Sequence, residues 1–181
     1  MRKFVIAAAC LALAACAAPG PTEHVTTIPL APADAATGLM TGPITQRVIS
    51  STTPPPEGMD PVVRVTLTHA DGRVLGFQEA NHTNDDLAAQ APGGPLAQAM
   101  GLFGEERPTL FHAVPATNAG APFLCGAEGP AALGIYDAED GSTMMVGLKS
   151  GFEFETLADG TVAPLPFSPD HVCARLRFRR G

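Results

Sequence analysis

The chain lacks the local signatures of the common enzyme classes. It has no Gly-x-Ser-x-Gly elbow, no His-Glu-x-x-His helix, no Walker loop and no dinucleotide fingerprint. These absences exclude the chemistries that short motifs announce, and nothing in the sequence calls for a cofactor. None of its four cysteines stands in Cys-x-x-Cys spacing, so a structural zinc ribbon is excluded and no metal site is read. No apolar run is long enough to cross a bilayer core of about 30 Å as a helix. No fixed period repeats along the chain, which argues against a propeller or solenoid. Positive charge is scarce: 11 basic residues face 18 acidic ones, and beyond residue 15 the only lysine is Lys149. Such an excess of acid disfavours nucleic acid as a partner and suits cationic ones.

What is present begins with the first sixteen residues. Arg2 and Lys3 precede an apolar, alanine-rich run from Phe4 to Ala15, too short for a membrane span and therefore a targeting segment. The run ends in Leu13-Ala14-Ala15-Cys16, which resembles the lipobox of bacterial lipoproteins. The resemblance implies cleavage before Cys16 and lipidation of its thiol. Ala17 after the cysteine implies delivery to the outer membrane, facing the periplasm. The alternative is an ordinary secretory signal cut after Ala12-Leu13-Ala14. In an oxidising compartment, with Cys10 removed and Cys16 lipidated, Cys125 and Cys173 are left to pair. A disulfide between them closes a loop of about 49 residues, for which chain entropy gives about 4 kcal/mol.

Residues 16–60 are rich in Pro, Ala and Thr, and prolines from Pro19 to Pro56 interrupt regular structure. This segment reads as a lipidated tether, residues 1–15 as the signal and residues 61–181 as one β-rich domain. Ile44 to Ile49 is apolar enough to be a strand returning to the domain, which sets the ordered boundary between 43 and 61. From Pro61 on, Val63, Val65 and Leu67 alternate with polar residues, the period of a half-buried strand. Asp71-Gly72, Asp140-Gly141 and Asp159-Gly160 each separate two such runs and predict three hairpins. Asn84 caps a predicted short helix, with Asp85 and Asp86 in its first turn, and Pro92-Gly93-Gly94-Pro95 stops it. A second helix carries Leu96, Ala99, Met100 and Phe103 on one stripe and ends at Gly104. The fold class expected is α+β, mainly antiparallel β as a hairpin-rich sheet or small barrel, with a short helical insertion.

The last strand is the clearest. Val172, Ala174, Leu176 and Phe178 alternate with Cys173, Arg175, Arg177 and Arg179. Arg175, Arg177 and Arg179 form a comb that suits an anion held by forked hydrogen bonds. The plainer reading, which the pattern favours, is a solvated face whose arginines meet acidic neighbours or guard an edge. Other clusters reduce to structure. Ser168, Asp170 and His171 read as a turn before this strand and not as a triad, whose members converge from separate elements. His82, Asn84, Asp85 and Asp86 lack calcium-loop spacing and read as a helix cap. His69 and His112 fall on predicted strands in phase with apolar neighbours, the setting of an interior histidine; Glu153 and Glu155 form the wet side of another. No catalytic residue is assigned.

Ser150-Gly151-Phe152-Glu153-Phe154 resembles the Ser-Gly-x-x-Tyr motif of lipid-anchored inhibitors of C-type lysozyme, which are disulfide-linked β-barrels. Phe154 stands in place of the tyrosine, and the family's Thr-Lys-Gly motif has no counterpart because no lysine follows Lys149. The sequence thus points to a lipid-anchored envelope domain that acts by binding or as a structural accessory to an envelope protein. Lysozyme inhibition or an envelope hydrolase stand as alternatives.

Overall fold

The computed structural model describes residues 23–51, 62–80, 84–150, 154–156, 162–164 and 169–181. Eight antiparallel strands close into a barrel: β1 (Glu23–Pro32), β2 (Ile44–Ser51), β3 (Val63–His69), β4 (Val74–Glu79), β5 (Thr109–Ala113), β6 (Ala132–Asp137), β7 (Ser142–Leu148) and β10 (Val172–Arg180). The order is up-and-down around the ring, with β10 pairing both β7 and β1. A separate two-stranded ribbon, β8 (Phe154–Thr156) with β9 (Val162–Pro164), lies between β7 and β10 in the chain. Mainly antiparallel β is therefore the observed class. Helix among the described residues amounts to three six-residue segments, α1 (Ala35–Met40), α2 (Asn84–Ala89) and α3 (Pro95–Met100), besides single 3-10 turns.

The alternating strands fold as their period dictates. Asp71-Gly72 joins β3 to β4, and Asp140-Gly141 joins β6 to β7. Residues 157–161, with Asp159-Gly160, lie outside the described residues, while β8 and β9 on either side of them pair antiparallel. The pairing is strongly staggered. One line across the strands runs from Arg180 at the end of β10 through Leu30 and Ile44 to His69 at the far end of β3. Stagger of this kind accompanies strand tilt and sets the width of the barrel.

Two cores result. Inside the barrel, Leu30, Ile44, Val65, Leu67, Phe77, Phe111, Leu133, Met145, Leu176 and Phe178 interdigitate. Outside it, Leu96, Ala97, Ala99 and Met100 of α3, with Ala89 of α2, cover Leu110, Ala132, Val146 and Leu148 on β5, β6 and β7. Strands β6 and β7 are therefore buried on both faces, which explains their near-continuous apolar sequence. Gly134 on β6 permits this approach, since a Cβ there would lie 2.5 Å from Leu96 Cδ1. Gln90 fastens the insertion: its Nε2 donates to the carbonyl of Ala80 at 2.6 Å and its Oε1 accepts from the Leu110 amide at 2.9 Å.

Two expectations are corrected. Residues 23–43, read as part of the tether, supply β1 and α1 and, with the returning strand anticipated over Ile44 to Ile49 as β2, complete the barrel. Proline and exposure disguised them. Only Ile28 and Leu30 of β1 pack against the interior core, and β1 pairs with β10 over just Leu30–Pro32. Pro29 turns its carbonyl toward Gly181 and so keeps its ring nitrogen off the β2 ladder, the arrangement that lets proline sit in a half-free strand. Helix α3 also stops earlier than its stripe suggested. Gly101 takes φ 72° as the C-cap, which ends the helix and leaves Phe103 beyond it, 88% exposed.

Candidate functional site

Cys125 and Cys173 are bonded, with Cα atoms 5.0 Å apart. The bond ties the β5–β6 connection to the start of β10 and seals one end of the barrel, where Phe123 and Leu124 pack onto the interior core. Phe123 also stacks on His69, with centroids 5.4 Å apart, under the Arg73 guanidinium. His69 Nδ1 lies 2.7 Å from Asp71 Oδ1. That hydrogen bond, with others from the backbone and side chain of Arg73, lowers the Asp71 carboxyl to about 2. Cys16 lies outside the described residues, as do His82, Ser168 and residues 151–153 of the Ser-Gly-x-x-Tyr resemblance.

The arginine comb is real in phase and divided in use. Ala174, Leu176 and Phe178 are buried, while Arg175, Arg177 and Arg179 are exposed. Arg175 Nε donates to the Ala99 carbonyl at 3.0 Å and so satisfies an otherwise orphan acceptor near the end of α3. Arg177 and Arg179 instead line a cleft of about 380 Å³ with Arg180, Asp34 and the Asp140-Gly141-Ser142 turn. Arg177 stands 3.5 Å from Asp140 Oδ2, a pair half exposed on both sides and therefore weak. Among the described residues the Arg179 side chain has no hydrogen-bond or ion-pair partner, and it feels Asp140 only at longer range.

Both acids of this cleft are committed to the fold. Asp34 caps α1, accepting from the Thr37 amide at 2.7 Å, and that hydrogen bond lowers its pKa. Asp140 accepts from the Ser142 hydroxyl at 2.6 Å and from its amide at 2.8 Å, which lower its pKa in turn. Thr37, on the buried side of α1, accepts through its hydroxyl from the Arg177 amide and continues the short β1–β10 seam. The cleft is thus a rigid, mixed-charge surface with one guanidinium to spare.

The opposite end of the barrel from the disulfide holds a site that motif reading does not reach. A cavity of about 300 Å³ opens among Gln46, Val48, Val65, Arg107, Phe111 and Asp137. Gln46 is 4% exposed, shares the inward parity of Ile44 and Val48, and its Oε1 has no hydrogen-bond partner. Asp137 accepts from the Thr143 hydroxyl at 2.7 Å and pairs with Arg180, which follows Phe178 in inward phase. The sequence does carry a signal for this place: an amide on the core phase of an alternating strand.

The remaining polar clusters separate. His69 faces inward with Leu67, whereas His112 alternates with the interior Phe111 and faces outward. A shared metal is thereby excluded. His112 Nε2 meets the buried Asp86 carboxylate at 3.1 Å, so Asp86 serves a cross-element pair beyond the helix-dipole role read for it. Asp170 and His171 fall in a 3-10 turn, Pro169–His171, as the turn reading expects. No group of three metal-ligating side chains is found among the described residues. Compared with known proteins, the chain matches no family model, no curated protein and no solved structure.

Proposed function

We propose that this chain is a lipid-anchored protein of the bacterial cell envelope, held through Cys16 at the periplasmic face of the outer membrane. There it works by binding, with the cleft on β10 taking an anionic group of an envelope partner. The observation that carries the binding surface is Arg179, which stands beside Arg177 in a formed cleft while every nearby acid already has a partner. A guanidinium so placed offers a forked donor to a carboxylate or phosphate. The barrel itself supports a water-exposed location for the domain. It is apolar within and carries Arg47, Arg64 and the β10 arginines outside, the reverse of a membrane-spanning barrel. No helix among the described residues is long and apolar enough to cross a membrane.

Two measurements test this reading. The intact mass of the membrane-extracted protein should exceed that of residues 16–181 by a diacylglyceryl and an acyl group, and Cys16→Ser should release the chain into the soluble fraction. Inorganic phosphate should shift the Arg177 and Arg179 side-chain NMR signals, with binding lost in the Arg177→Ala, Arg179→Ala double variant. Unchanged binding in that variant removes the cleft from the account.

Inhibition of C-type lysozyme is a second reading, supported by the disulfide-linked barrel and by an acidic surface suited to a cationic enzyme. On that reading a micromolar excess of the protein slows lysozyme, and undiminished lysis disposes of it.

A further inference from the structure

Strand β1 leaves one edge of the sheet open over its first half. In an antiparallel ladder, alternate residues turn their N–H and C=O toward opposite neighbours. On β1 the phase is set by Pro29, whose carbonyl accepts from the Gly181 amide on the β10 side. Val25 and Thr27 share that phase, so their backbone groups point away from β2, whereas Thr26 and Ile28 face it. Strand β10 accompanies β1 only over Leu30–Pro32. Among the described residues nothing pairs with the outward N–H and C=O groups of Val25 and Thr27. Glu23 to Thr27 are all exposed, Val25 at 42%.

A free edge is a template for another strand, and proteins that keep one single guard it with lysine, proline, a bulge or an inward charge. This stretch is unguarded. Val25 to Ile28 are all β-branched, and Glu23 carries the only formal charge from 23 to 28. The β1–β2 register runs without a shift, and Pro29 and Pro32 lie where Gly181 and β10 already cover the strand.

The occupant that fits this edge is a second copy of the chain. With a two-fold axis at Val25, β1 pairs antiparallel with itself. Val25 exchanges both backbone hydrogen bonds with Val25 of the second copy, and Thr27 with Glu23 of the second copy. The incoming strand then stops short of the place beside Pro29 that Gly181 holds. An axis one residue on, at Thr26, would drive the incoming Glu23 into that place. In the Val25 register Glu23 faces Thr27 and His24 faces Thr26, so the two carboxylates stay apart. Each copy spends its edge once, and association closes at the dimer.

We propose that the protein pairs with a second copy of itself through β1, joining the β1–β2–β3 sheets of two barrels across a two-fold axis at Val25. The pairing does not rest on the β10 cleft or on the anchor, although two copies held in one membrane meet at a raised effective concentration.

The test uses residues 16–181 carrying Cys16→Ser, which takes lipid out of the result. Sedimentation equilibrium should show monomer and dimer and no larger species. Amide hydrogen exchange at Val25 and Thr27 should slow as concentration rises, while that at Thr26 and Ile28, already turned to β2, changes far less. In a mixture of labelled and unlabelled copies, the His24 and Thr26 α-protons should show a contact between copies, because they face each other as a non-hydrogen-bonded pair. Val25→Pro removes an outward donor and no internal hydrogen bond. It should weaken the dimer at least about tenfold and leave the thermal midpoint of the dilute protein unchanged. Val25→Lys, which sets like charges across the axis on an exposed residue, should weaken the dimer to a similar degree without disturbing the fold. A protein that stays monomeric at roughly 1 mM overturns the proposal. So does a dimer whose Val25 and Thr27 amides exchange as fast as in the monomer, or one that Val25→Lys leaves intact.

Discussion

At the scale of single residues, the fold alters the charge state of three carboxyls, Asp34, Asp71 and Asp140. Asp71 is the clearest. Hydrogen bonds from His69 and Arg73 favour its ionised form, so its folded pKa of about 2 lies below the ordinary 3.8. A depressed carboxyl contributes stability that is fully present above the unfolded value and is lost as pH falls from about 3.8 toward 2. Asp34 and Asp140 act in the same direction through their bonds to Thr37 and Ser142. The urea midpoint should therefore fall on acidification over this window. Asp71→Asn should fall less than the parent between about pH 4.5 and pH 2, because it has no proton left to bind. Equal slopes in the two proteins would show that the His69–Asp71–Arg73 cluster plays no part in acid stability.

At the scale of elements, sequence and structure agree where an element's neighbours are local and part where they are distant. Strands β3, β4, β6, β7 and β10 were legible because alternation and Asp-Gly turns are written within a dozen or so residues. Strand β1 was hidden because most of its length is exposed and its prolines sit on a half-free edge. The cavity was hidden for a different reason: Gln46, Arg107, Phe111 and Asp137 come from separate elements and meet only through ring closure. The arginine comb was legible as a pattern, but which guanidinium stays free depends on Ala99, Asp140 and Asp137, which no spacing reveals.

The docking of α3 gives the element-scale prediction. Leu96 is fully buried against Gly134 in the outer core that α3 and Ala89 of α2 form over β5, β6 and β7. Leu96→Ala should cost about 2–5 kcal/mol, the range for deleting a buried leucine, read from the urea midpoint at constant m-value. Gly134→Val should cost more than its surface counterpart Gly141→Ala costs through backbone strain, because it lifts the helix from the sheet and opens the outer core to water. The disulfide acts on the same scale: with its cysteines 48 positions apart in the chain, the Cys125→Ala, Cys173→Ala double variant should lose about 4 kcal/mol.

At the scale of the whole molecule, ring closure decides both what the domain is and where it stands. With β1 starting at Glu23, about seven residues separate the proposed lipidated cysteine from the barrel, a reach of at most about 25 Å when fully extended. A tether running to residue 60 would have let the domain range several times farther. Glu23 opens β1 at the same end of the barrel as the ends of β2, β6 and β10, the end that holds the Gln46 cavity. The anchor on this reading keeps the cavity near the membrane and the disulfide end away from it. The boundary can be tested without any assumption about lipid. A chain of residues 23–181 retains all eight barrel strands and should unfold in one cooperative transition. A chain of residues 62–181 loses β1 and β2, leaves the edges of β3 and β10 unpaired and uncovers Val65, Leu67 and Phe178. It should bind a hydrophobic dye, lack dispersed amide shifts and aggregate. If the shorter chain instead unfolds cooperatively with the stability of the longer one, residues 23–51 are an appendage and the closed barrel is not the folding unit.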